Sequence, residues 1–508
     1  VGNVRDALFK YLLARNTGGT LILRIEDTDR SRYIPGCEEE IVDSLKWVGI
    51  DWDEGPDVGG PNAPYRQSER AATGIYEHWI RVLLEAGHAY RAFETPEELA
   101  EMRSFQEANK LPVGYFGGEW RDATPGKVEA ALLAGKPFVI RQRIPRNTII
   151  AIEDFIRGRI EWDSNTVDDP VLIKADGMPT YHFAAMVDDH LMGITHIMRG
   201  EEWISSAPKH AVLFDQFGWE RPIFVHCPVI KGKDGAKLSK RHGDTRCLDF
   251  RSAGYLPEAL ANFIALIGWS PGGDVEIMSM SEMIEAFSLE GLQPSPGVFD
   301  LDKLRWMNGV AIRSLPQGKL ADLAINYARD PATYEYWSRH EAEPHVRHAL
   351  DALRETADHH HGHVVQALAL MQERAQTLAE LATASEFFFV DEPTMEPAAV
   401  AKWFTLPHLE ELFHYLLDEI AKASPDGKTP IEVSRCEAMI RTYAANKGWD
   451  KLGPVVHPVR VALTGKTAGP GLFELMSVLG PERMTRRLRR ALETVRKSAP
   501  EAEADARE

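Results

Sequence analysis

The loop Lys237-Leu238-Ser239-Lys240-Arg241 follows the turn Gly232-Lys233-Asp234-Gly235. Two lysines three residues apart on such a loop can reach polyphosphate oxygens and neutralise charge as pyrophosphate leaves an α-phosphorus. A solvated basic turn would have the same composition. At the other end, Val1-Gly2-Asn3 precedes a helical pattern. Glycine there lets a nucleotide approach the backbone, and the free N–H groups of a helix start favour phosphate. The alternative is a turn with an incidental glycine. Glu26 and Asp29 sit at the end of a short apolar run, where carboxylates could hold a substrate ammonium or simply cap a surface. Arg199, beside Gly200, could pair with a carboxylate through two N–H groups or form an ordinary salt bridge with Glu201 or Glu202. Tyr181 could donate its hydroxyl to a carboxylate or fill a core.

Two further clusters could suggest metal. Asp188-Asp189-His190 has no spaced ligand set and reads as structural or hydrogen-bonding. His359–His361 with His363 reads as a metal tract or a solvated helix face.

The elements that must position these residues follow from periodicity. Val4, Ala7, Leu8, Tyr11 and Leu12 predict a helix over 4–13, Thr20–Ile25 a strand, and residues 38–48 a second helix. This order points to an α/β unit with a parallel sheet. Residues 85–176 change character and read as an insertion. It holds a helix start at Thr95-Pro96-Glu97-Glu98 and a strand-like run Phe138–Ile144. The α/β pattern resumes at Tyr181, with strands at Ile194–Met198 and Ile223–Ile230 around a helix over 203–217. Residues 250–310 read as mainly helical. Helical patterns run from Ser314 to about residue 497, and the acidic stretch Ala499–Glu508 reads as a disordered tail.

Bulk properties narrow the class. The 508 residues suit three to four domains, at roughly 150 residues each. No run approaches the ~18 apolar residues of a membrane span. The four scattered cysteines, Cys37, Cys227, Cys247 and Cys436, suit reduced thiols in a cytosol. A net charge of −18 argues against general stickiness for nucleic acid but leaves room for local basic patches. The start, without Met and without a signal-peptide plan, reads as truncated.

The Gly2-Asn3 turn and the Lys237-Leu238-Ser239-Lys240 loop resemble, in order, the two signatures of class I aminoacyl-tRNA synthetases. The resemblance narrows to the bacterial-type glutamyl-tRNA synthetase family through five blocks: Gly18–Arg30, Tyr181–Trp203, Lys237–Gly243, Leu248–Pro271 and Leu463–Leu479. It implies an α/β Rossmann-type parallel-sheet catalytic domain with an inserted α+β subdomain, followed by an all-α C-terminal half. The catalytic parts would be 1–84 and 177–245, the acceptor-end insertion 85–176, and a stem-contact domain 246–313. Anticodon-binding parts would be 314–425 and 426–498, with a tail at 499–508.

The implied reaction activates L-glutamate with ATP and Mg²⁺ to glutamyl-AMP, then transfers glutamate to the 3′-terminal adenosine of tRNA(Glu). By the same resemblance, Lys237 and Lys240 act on the phosphates. Gly2, Asn3, Glu202, Trp203, Ile230 and Ser239 line the ATP site, and Glu26, Tyr181 and Arg199 hold glutamate. Asp29, Arg486, Arg487, Arg489 and Arg490 are candidate tRNA contacts; a solvated helix face would account equally well for the arginines. The first signature's His would fall one residue before Val1, and the family's preceding strand carries an Arg and a Ser for glutamate. The chain as written is therefore expected to be deficient. No zinc is expected: Tyr90–Trp120 contains no cysteine, although some members of the family build a cysteine-based zinc site there. A cytoplasmic monomer is expected, with no membrane partner. Alternatives are an enzyme that also charges tRNA(Gln), an inactive tRNA-binding paralogue, and a small-molecule nucleotidyltransferase. The long helical half argues against the last.

Overall fold

A computed structural model describes residues 1–508 except 30–33, 240–243, 341–342 and 505–508, with side chains described through residue 497. The described residues form two compact units. One comprises residues 1–247 and 261–300, the other residues 248–260 and 301–508.

Nine strands occur among the described residues, all in the first unit: β1 Ala89–Ala92, β2 Val139–Gln142, β3 Ile149–Asp154, β4 Gly158–Asp163, β5 Val171–Ile173, β6 His196–Gly200, β7 Ile223–Cys227, β8 Ile230–Lys231 and β9 Gly297–Val298. The main sheet has the order β4-β3-β7-β6. β6, β7 and β3 run parallel, while β4 closes the edge antiparallel to β3. The expected parallel sheet is thus a mixed one. β3 and β4 fall within 85–176 in sequence, yet they belong to this sheet. The separate antiparallel sheet β1-β2-β5 remains with the helices Pro96–Ala108 and Pro125–Leu133. Asp169, fully buried, ties that region together by accepting from Tyr90 Oη at 2.7 Å, the Ile144 N–H at 3.1 Å, Arg146 at 2.8 Å, and Arg121. The helix start at Thr95 is a full capping box, with Thr95 accepting from the Glu98 N–H and Glu98 from the Thr95 N–H.

The helix Tyr181–Leu191 is buried from Phe183 to Asp189, because it packs between the sheet region and the helix Ala207–Phe217. Phe183, Val187, Leu213, Phe214 and Phe224 form the centre of this core. Asp188, fully buried, accepts from Gln67, Arg70 and Tyr76, and His190 stacks on Trp219, so these two members of the run are structural.

Several boundaries differ from the periodicity. The first helix spans Gly2–Thr17. Residues 20–25 do not form a ladder strand. They are extended and touch the chain at two parallel bridges, Ile22 to Glu54 and Ile25 to Arg66. Their partner segment carries Gly55, Pro56, Gly59, Gly60, Pro61 and Pro64, which interrupt regular pairing. The run Ile223–Ile230 splits into β7 and β8 at Pro228, which has no N–H to donate. Residues 250–310 alternate helices with irregular stretches rather than being mainly helical.

All regular elements among the described residues of the second unit are helices. Leu320, Leu350, Leu368, Leu412, Leu416 and Leu488 lie in one continuous core. The last helix spans Pro481–Ala504 and so carries on through much of the stretch expected to be a disordered tail; alanine and glutamate are good helix formers.

Candidate active site

One cavity of about 770 Å³ in the first unit collects residues from the first helix, the extended run, residues 45–54, the buried helix and β6. It is lined by Asn3 at the first helix, Leu21–Arg24 and Glu26 on the extended run, Tyr181, Ala185 and Asp189 on the buried helix, and Ile197–Arg199 on β6. Three residues read from sequence as glutamate-holding, Glu26, Tyr181 and Arg199, therefore meet here, with Asn3 beside them.

The charges around the cavity are arranged in two layers. Arg24 Nη2 lies 2.8 Å from both Glu26 Oε1 and Asp189 Oδ1. Glu26 is thereby oriented by a cation. Burial raises the Asp189 carboxyl despite the charge of Arg24. Burial also pushes the Tyr181 hydroxyl up to about 12, with Glu26 adding to the rise and Arg199 opposing it. Tyr181 packs on Trp203 with ring centroids 4.9 Å apart.

Arg199 is buried, 7% exposed, and makes no salt bridge with Glu201 or Glu202. Those two are engaged elsewhere, Glu201 with Arg157 and Glu202 with Lys237. Arg199 Nε donates to His226 Nε2 at 3.1 Å, and Nη1 bonds His210 Nδ1 at 3.1 Å. Sequence reasoning passed over both histidines, and Asp154 behind them, because neither stands in a motif and all three come from different elements. Arg24 and Asp189 were also missed as a pair, although both lie within the blocks that carry the family resemblance.

The nucleotide candidates form a second group. Ile230 lies in β8, and the Leu238 N–H donates to its carbonyl at 2.9 Å, folding the loop back on the strand. Lys237, paired to Lys231 in a single bridge, reaches Glu202 with Nζ 3.4 Å from Oε1. A Cβ at Gly200 would meet the end of the Glu202 side chain, which would have to move aside. Ser239 and Trp203 are exposed. Lys240 lies outside the described residues. Gly2 begins the first helix and has open space on its Cβ side.

In the second unit the arginines separate. Arg486 and Arg490 are partly exposed, paired with Asp391 at 2.8 Å and Glu392 at 3.1 Å, and they border a groove that also holds Arg489 and Lys428. Arg487 is different, and its reading as a tRNA contact is corrected. It is 1% exposed, and its guanidinium donates to the carbonyls of Phe387, Val390, Asp391 and Leu463. Burial, with Arg483 adding, draws it down to about 9. It pins the helix end rather than facing solvent. Asp29 is exposed in the first unit. In the histidine tract, His359–His361 are exposed, and His363 bonds the Phe388 carbonyl at 3.1 Å. No cluster of three metal-ligating side chains occurs among the described residues.

A Rossmann-like mixed sheet thus carries the polar cavity, and an all-helical half follows it in sequence. Residues 1–306 match the catalytic-domain model of the class I tRNA synthetases (E and Q), and residues 320–492 match an anticodon binding domain. The chain belongs to this family. It is 42% identical over 496 residues to a glutamate–tRNA ligase of Thermus thermophilus, covering 97% of each chain. It is 41% identical over 502 residues to one of Chloroflexus aurantiacus, covering 97% of this chain and 94% of that one. A crystal structure of a glutamate tRNA ligase from Elizabethkingia meningosepticum, in complex with its amino acid, superposes with a TM-score of 0.82 at 35% identity. It covers 97% of this chain and 96% of that one.

Proposed function

We propose that this chain is a glutamate–tRNA ligase, which activates L-glutamate with ATP to glutamyl-AMP and diphosphate and then transfers glutamate to the 3′-terminal adenosine of tRNA(Glu). The observation that carries the reading is the cavity joining Glu26, Tyr181 and a buried Arg199. Full-length similarity to glutamate–tRNA ligases supports it.

In the first step the α-carboxylate of glutamate attacks the α-phosphorus of ATP and diphosphate departs. In the second a ribose hydroxyl of the terminal adenosine attacks the acyl carbon and AMP departs. Neither step needs a covalent enzyme intermediate, so the residues act by positioning and charge stabilisation. Glu26 takes the substrate ammonium, while Arg199 and Tyr181 take a carboxylate. Lys237 and Lys240 take the phosphates; Gly2, Asn3, Glu202, Trp203, Ile230 and Ser239 frame the nucleotide. Mg²⁺ enters with ATP, bound by its phosphates. The residues between 85 and 176 touch the acceptor end, and the helical half reads unstacked anticodon bases, with Arg486, Arg489 and Arg490 on the backbone. No described helix is long and apolar enough to cross a membrane. The unpaired thiols fit action in the cytoplasm, and the protein acts as a monomer.

The test is ATP–diphosphate exchange by the full-length gene product with tRNA present. Exchange that depends on glutamate, and falls at least about tenfold with glutamine, is the expected result. Exchange supported by another amino acid and not by glutamate would overturn the reading.

A further inference from the structure

Arg199 lines the cavity, is gripped on two sides, and is buried without a hydrogen-bond partner on a third. Nε and Nη1 bond His226 and His210. Nη2 is buried and has no acceptor in hydrogen-bond geometry among the described residues. No carboxylate lies within ion-pair distance of the guanidinium among those residues either; the Tyr181 hydroxyl is the group that acts on it most, with Asp189 and Glu26 following from further off.

A guanidinium only donates. The nitrogens it meets, His226 Nε2 and His210 Nδ1, must therefore be bare. His226 then carries its proton on Nδ1 and gives it to Asp154 Oδ2 at 2.6 Å, while the His226 backbone N–H reaches the same oxygen at 3.1 Å. His210 carries its proton on Nε2 and gives it to His182 Nδ1 at 2.9 Å. Contact with one cation thus dictates which ring nitrogen accepts in His226, in His210 and in His182. His226 and His210 are fully buried. Burial, joined by the charge of Arg199, holds His210 well below the ordinary histidine range. Burial opposes the ionisation of Asp154, but the His226 bond and the N–H groups of Ile156 and Arg157 hold its carboxyl low.

We propose that His226 and His210 are positioning residues that aim Arg199 Nη2 into the cavity, so that the side-chain carboxylate of glutamate, and not the amide of glutamine, completes its hydrogen bonding. This rests on the assignment of glutamate to the cavity made above. Both histidines offer Arg199 a ring nitrogen and no carboxylate, so the buried cation is left for a substrate anion to pair. A guanidinium held at two edges cannot turn to accommodate an amide N–H₂, and an amide would leave the charge poorly compensated.

The test compares His210→Leu with His210→Asn in the full-length protein, measuring exchange kinetics for glutamate, glutamine and ATP. Asparagine places an oxygen where Nδ1 stands; leucine offers no acceptor. Losing a hydrogen bond to a charged group corresponds to about tenfold or more. The leucine variant is expected to raise the glutamate KM by about that factor and to narrow the glutamate-over-glutamine preference. Its ATP KM should stay within about twofold, and asparagine should recover most of the loss. Unchanged glutamate KM and preference in a folded leucine variant would overturn the proposal. So would equal losses in both variants with the ATP KM rising in step, since that marks a merely structural role. Should the leucine variant not fold, His226→Gln against His226→Asn carries the test. The longer amide reaches the position of Nε2 and is expected to keep glutamate affinity better than the shorter one; equality or the reverse order overturns the proposal. Absence of glutamate-dependent exchange in the unmutated protein would instead count against the assignment of glutamate itself.

Discussion

Lys237 Nζ lies 3.4 Å from Glu202 Oε1, across the gap between the loop after β8 and the turn after β6. Both side chains are well exposed, 64% and 49%, so the pair is weak and readily exchanged for phosphate oxygens. A lysine released to ATP in this way would act most strongly when charge develops on departing diphosphate. Lys237→Ala and Lys240→Ala are therefore expected to lower exchange by about 10²–10³ with little change in ATP affinity. Exchange within about threefold of the parent would reduce either lysine to a solvated loop charge.

Arg487 and its neighbours should part company in the second unit. Arg487→Ala leaves four carbonyls without their donor and opens a cavity, and it is expected to destabilise by about 3–5 kcal/mol. Arg486→Ala and Arg489→Ala should cost less than about 0.5 kcal/mol yet weaken tRNA binding and flatten its salt dependence. Denaturant unfolding and tRNA titrations at two salt concentrations separate the two classes. A tRNA defect in Arg487→Ala without loss of stability would contradict the structural role.

Much of this arrangement was legible in sequence. Glu26, Tyr181 and Arg199 were marked by type and by their places in the family blocks, and they converge on one cavity. The second half read as helical from periodicity, and it is. What sequence could not show was contact between distant elements. The partners of Arg199 come from β7 and from the helix Ala207–Phe217, and nothing local in those segments marks a histidine as a hydrogen-bond acceptor. Arg487 failed for a related reason: in a run of arginines, only packing tells which one turns inward. Residues 20–25 have strand composition, but pairing depends on a partner, and theirs is broken by glycine and proline.

Acid should weaken the first unit through His182. Burial, with the charges of Lys209 and Arg199, draws it from 6.5 to about 4. Between those values the unfolded chain binds a proton that the folded chain refuses. Stability is therefore full above about pH 6.5 and falls as pH drops towards 4, on the order of 1–2 kcal/mol by pH 5. His210 shifts in the same direction and adds to the slope. Thermal melting at pH 7.5 and 5 in His182→Asn should show a smaller difference than in the parent. An equal difference would remove His182 from the account.

Tag-free protein is expected to carry no stoichiometric zinc by elemental analysis, because residues 90–120 offer no cysteine thiolate. One zinc per chain would contradict this and direct attention to the exposed histidines His359–His361.

The most direct measurement is charging of tRNA transcripts with labelled glutamate by the full-length gene product. The expected result is ATP-dependent Glu-tRNA formed on tRNA(Glu), with tRNA(Gln) charged at least about tenfold less efficiently. Comparable charging of both tRNAs would make the enzyme non-discriminating, and charging of neither, while ATP is still hydrolysed or exchanged, would contradict its assignment as a glutamate–tRNA ligase.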